Sequence, residues 1–95
     1  MIVIIKHKGL KEFWTKGLSG KLPSDQKNKI RLILDTLNDA NEIPQDLIPF
    51  KNWNTHKLRG VYIGFWSITV KENWRIIFKF DGKNITDLDL SLIHI

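Results

Sequence analysis

The 95 residues contain no cysteine, so the chain has no disulfide framework and no thiolate metal site, and a reducing compartment is acceptable to it. Long apolar runs are also missing. Met1-Ile2-Val3-Ile4-Ile5 ends at Lys6, too early for a signal-peptide core or a membrane span, which leads us to expect a cytoplasmic protein without membrane contact. The three histidines have no close pairing and no carboxylate at ligand spacing, which argues against a catalytic metal and leaves no cofactor to expect. His7, between Lys6 and Lys8, is expected to be solvated. No Ser, His and Asp set stands out. Gly60-Val61-Tyr62-Ile63-Gly64 precedes a strand instead of joining a strand to a helix, so it is not a phosphate loop.

What is present is an ordinary globular balance, 42% hydrophobic and 26% charged, which excludes disorder as the default and fits one domain over residues 1–95. Fifteen Lys and Arg against ten Asp and Glu give a net charge of +5, which favours an anionic partner such as nucleic acid or an acidic protein.

The β-branched start, Ile2 to Lys6, suits a short strand. From Gly9 onward, Leu10, Phe13, Trp14 and Leu18 follow helical spacing. After a break from Gly17 to Pro23, Ser24 is placed to cap a second helix with Ile30, Ile33, Leu34 and Leu37 on one face and Lys27 and Arg31 on an outward ridge. Asn38 to Thr55, with Pro44, Pro49 and no regular period, is expected to be a long loop pinned by Leu47, Ile48, Phe50 and Trp53.

Beyond Gly60 the period becomes two. Trp66, Ile68 and Val70 alternate with Phe65, Ser67 and Thr69. After a turn at Lys71-Glu72-Asn73, Trp74, Ile76, Phe78 and Phe80 alternate with Arg75, Ile77 and Lys79. Asp81-Gly82 marks the next turn, and Leu88, Leu90 and Leu92 then alternate with Asp87, Asp89 and Ser91. The pattern predicts an α+β fold: an N-terminal strand and two helices packed on one face of an antiparallel sheet of about four to five strands, its other face open. Trp14, Trp66 and Trp74 fall on apolar stripes and are assigned to the core, not to base stacking.

Breaking an RNA phosphodiester by acid–base chemistry needs a base for the 2′ proton, cations for charge on the phosphate, and an acid for the departing oxygen. Imidazoles exchange protons near neutral pH, which suits His56 and His94, and guanidiniums grip phosphate in two-pronged fashion, which suits Arg59 and Arg75. Strict alternation puts His94 on the side of Leu88, Leu90 and Leu92; a bulge in the strand would move it to the other face.

These residues stand in an order that resembles the HigB toxins of the RelE/ParE superfamily: Lys6-His7-Lys8-Gly9-Leu10, Arg31-Leu32-Ile33-Leu34-Asp35, His56-x-x-Arg59-Gly60, Gly64-x-Trp66-Ser67-Ile68-x-Val70, Asn73-Trp74-Arg75-Ile76-x-Phe78 and the next-to-last residue, His94. The resemblance covers nearly the whole chain. It implies a RelE-like fold and a ribosome-dependent messenger RNA endonuclease. His56, Arg75 and His94 would be catalytic, Lys57, Arg59 and Lys79 would bind phosphate or RNA, and Lys11, Lys27 and Arg31 would contact the ribosome. It also implies a HigA-like helix-turn-helix antitoxin as partner, with DNA reached only through it. The family's Asp-Tyr-His ending is replaced here by Leu92-Ile93-His94. That departure keeps open an alternative, a non-catalytic module of the same fold, either a gyrase-inhibiting relative or a decayed toxin that acts by binding its antitoxin and modulating operon repression.

Overall fold

A computed structural model of the chain describes residues 1–22, 24–71 and 74–92. Two helices, α1 (Lys8–Lys16) and α2 (Lys27–Asp39), precede four strands: β1 (His56–Lys57), β2 (Trp66–Lys71), β3 (Trp74–Phe80) and β4 (Ile85–Leu92). The strands form one antiparallel sheet in sequence order. Such an order needs only short connections, as the period-two segments separated by turn residues suggested.

The apolar face of α2, Ile30, Ile33, Leu34 and Leu37, is fully buried. With Leu10 and Phe13 of α1 it packs on Ile68, Val70, Ile76, Phe78, Ile85, Leu88 and Leu90 of the sheet. Both helices therefore cover the same side. Leu47 and Trp53 reach this core from two short 3-10 turns in the connection between α2 and β1, and Trp53 stacks on Phe50 with ring centroids 4.1 Å apart. Ile48 does not help to pin the connection, because it is exposed.

Several local expectations are corrected. Ile2 to Lys6 forms no full strand; it makes two isolated parallel bridges to β4, at Ile2 with Ile85 and at Ile5 with Leu88. Ser24 does not cap α2. The helix starts after Gln26 without a side-chain cap, and the preceding Asp25 instead pairs with Lys71 at 2.7 Å, tying the helix start to the end of β2. Leu18 lies past the left-handed Gly17 that ends α1, and is exposed. His7 is half-buried, and its Nδ1 accepts the Leu10 N–H at 3.1 Å, so it caps α1 instead of facing solvent. Trp14, Trp66 and Trp74 sit at the rim of the core, half-buried, while Trp53 is the tryptophan sealed inside it.

β4 contains a bulge, but upstream of the position needed to turn His94. Ile77 faces Asp89 whereas Lys79 faces Thr86, and the extra residue, Asp87, has φ of +52°. This lets Ile85 and Leu88, three apart, both enter the core. Pairing then runs unbroken to Leu92 opposite Trp74. Ile93 and His94 lie outside the described residues.

Candidate functional site

The sheet face away from the helices carries the candidate chemistry. His56 is opposite Ser67, Ser67 opposite Ile77, and Ile77 opposite Asp89; the next row is Thr69, Arg75 and Ser91. Residues opposite one another across a sheet project to the same side, so His56 and Arg75 share this face. They are offset by two strand spacings, roughly 10 Å, and by one side-chain repeat, about 7 Å along the strands. Ser67, Thr69 and Ile77 floor the space between them. Ser67 is fully buried, and among the described residues its hydroxyl has no hydrogen-bond partner, nor has the buried hydroxyl of Thr55 beside His56.

The orientation of His56 is set from its own loop. Buried Trp53 ends a 3-10 turn, and Asn54 follows in the left-handed region with φ of +46°. Its carbonyl oxygen is 2.8 Å from His56 Nδ1. A carbonyl can only accept, so Nδ1 carries the hydrogen and the neutral ring presents the Nε2 lone pair. Arg75 is half-buried and donates from Nη1 to the Trp74 carbonyl at 3.1 Å.

Lys79 shares the open face, with its ammonium 3.8 Å from Asp87 and 5.0 Å from the centre of the Phe65 ring. Asp87 also pairs with Lys6 at 3.5 Å. Arg59 is exposed just before the 3-10 turn Gly60–Tyr62 that rims the face. Lys57, next to His56, turns to the helix side, 5.3 Å from the centre of the Trp66 ring. The helical candidates Lys11, Lys27 and Arg31 are exposed in the opposite layer and do not join the group. Arg31 borders a small surface hollow with Phe13, Trp14 and Asp35. Among the described residues no three His, Asp or Glu side chains converge as a metal site.

One feature of this face escapes a stripe-by-stripe reading. Leu58 and Ile77 form a second, small apolar cluster with half-buried Tyr62 and Phe65. The usable signal was the alternation itself, which sets Phe65 and Ile77 with Ser67 and opposite Trp66.

The fold is shared with YafQ from E. coli strain BL21(DE3), at TM-score 0.61 and 17% identity over 97% of this chain and 91% of that one, and with a mutant of E. coli YafQ at the same score and coverage and 18% identity. A family model described as the RelE-like toxin of type II toxin-antitoxin system HigB matches residues 4–92. "Endoribonuclease HigB" of Proteus vulgaris is 39% identical over 80 residues, 84% of this chain and 85% of that protein. The fold and these matches define a RelE-like toxin. Within that class, the chain belongs to the HigB-like toxins of type II toxin-antitoxin systems, and membership of such a system implies an antitoxin partner.

Proposed function

We propose that this chain is an acid–base endoribonuclease that cuts messenger RNA in the ribosome. The observation that carries this reading is that His56, whose Nδ1 is held by the Asn54 carbonyl so that Nε2 is the ring's proton acceptor, and Arg75 lie on the sheet face away from α1 and α2. The name of the Proteus vulgaris relative supports the same chemistry. His56 Nε2 takes the 2′-hydroxyl proton, and the 2′ oxygen attacks phosphorus. Arg75, with Arg59 near the rim, balances the charge that gathers on the phosphate oxygens. The bond to the 5′ oxygen breaks, and that oxygen takes a proton from the acid, a role we give to His94 on the sequence resemblance. A 2′,3′-cyclic phosphate and a 5′-hydroxyl result.

The ribosome supplies the positioning that a small basic face lacks, and holds the strand for in-line attack. The exposed cations Lys11, Lys27 and Arg31 are assigned to ribosomal RNA, where they act as phosphate contacts and not as chemistry. The cognate antitoxin is assigned as HigA-like, with a helix-turn-helix domain that provides the only contact with DNA, and the site of action is cytoplasmic. Primer extension on a message, translated and untranslated, tests the reading: cuts confined to the translated message support it. Growth arrest without cuts favours the non-catalytic alternative.

A further inference from the structure

The turn between β1 and β2 is built unlike a plain connection. Gly60 and Gly64 bound it with φ of +67° and +93°, and a side chain at either would meet open space, so the backbone conformation is what calls for glycine there. Between them, Val61 and Ile63 are 93% and 77% exposed. Tyr62 instead leans onto the open face, edge to face with Phe65 at 6.2 Å and 84°, above Leu58 and Ile77. Ile77 belongs to the same row as His56 and Ser67. An aromatic corner thus adjoins the row of His56, on the side away from Arg75.

Phe65 already has the Lys79 ammonium over its ring and the other aromatic against it. The phenol ring of Tyr62 is the half-exposed aromatic surface that remains. We propose that Tyr62, buttressed by Phe65, is the stacking platform for a nucleobase next to the scissile phosphate, with Lys79 meeting the adjoining backbone phosphate. Every base has a π-face, and single-stranded RNA is bound by rings that hold unstacked bases beside cations that hold phosphates. Seating one base in the corner fixes the strand so that its 2′-hydroxyl stays near His56. This role rests on the nuclease reading, and Tyr62 acts on the substrate without taking part in proton transfer.

The test uses single-turnover cleavage on programmed ribosomes carrying either an intact message or one made abasic at either nucleotide flanking the cut. Tyr62→Leu should slow the intact message about tenfold, while the abasic message, already slow, should lose less than about twofold; Tyr62→Phe should match the natural chain on both. Equal losses for Tyr62→Leu on both messages would overturn the proposal, since the ring would then be merely structural. Heat unfolding of each variant checks the fold. Should the natural chain cut neither message, the nuclease reading fails, and the platform is decided by binding of an uncleavable 2′-O-methyl pentanucleotide. About tenfold weaker binding by Tyr62→Leu, absent with the abasic version, supports it; equal binding by both proteins overturns it.

Discussion

The Nδ1 atom of His56 faces the carbonyl oxygen of Asn54 at 2.8 Å. Since Asn54 holds a left-handed conformation right after buried Trp53, the core fixes the tautomer of a ring on the opposite side of the sheet.

His56→Ala should therefore cut single-turnover cleavage by about 10²–10⁴-fold, the usual worth of a positioned proton-transfer group. Heat unfolding should barely change, because β1 is a two-residue edge strand. Asn54→Gly keeps the left-handed turn and should keep activity, whereas Asn54→Val disfavours that turn and should reduce activity by moving the carbonyl. Equal activity in both Asn54 variants would break the proposed link.

Lys57 and Arg75 separate by face. Arg75→Ala should lose about 10²-fold or more in cleavage, and Arg75→Lys should recover little, because an ammonium lacks the fork that grips phosphate. Lys57→Ala should stay within about threefold, as its ammonium sits beside Trp66 on the helix side. Rates measured side by side on the same message decide the assignment.

Asp87 is the strained position in β4, with φ of +52° and two lysines, Lys6 and Lys79, beside its carboxylate. Asp87→Gly and Asp87→Val lose the same ion pairs but differ in backbone freedom. Denaturant unfolding should place the valine variant about 1–2 kcal/mol below the glycine variant. A difference near zero would mean that the bulge rearranges.

Stability should also fall in acid for an identifiable reason. The backbone N–H groups of Asn41 and then Glu42 hold the Asp46 carboxyl below its ordinary value of 3.8. A depressed folded value means that the contribution is present above the unfolded pKa and is lost as pH falls through the folded one. Asp46→Asn should thus unfold at a lower temperature than the natural chain at pH 7, and the gap should close below pH 3.8. A gap independent of pH would rule out the charged form as its source.

The α2 stripe was legible because Ile30, Ile33, Leu34 and Leu37 repeat at the helical period and face one core. The β2–β3 hairpin was legible for the same reason at period two. The parallel bridges of Ile2 and Ile5 were not, because their partners, Ile85 and Leu88, lie some eighty positions away and no local pattern encodes that pairing. Neither was the pairing of Asp25 with Lys71 at the α2 start. At the site, His56 and Arg75 were chosen by chemical type, but only strand register and packing could show that Lys57 turns to the other face and that Tyr62 and Phe65 lie next to the His56 row. The expected role of His94 falls on residues that the structure does not describe.

The most direct test of the account maps RNA 5′ ends by primer extension on one actively translated message, after brief induction of the natural chain or of Arg75→Ala at matched protein levels. The account predicts discrete cuts within the translated region for the natural chain, none when translation is blocked beforehand, and none for Arg75→Ala. Cuts that persist undiminished with Arg75→Ala, or growth arrest by the natural chain with the message intact, would contradict it.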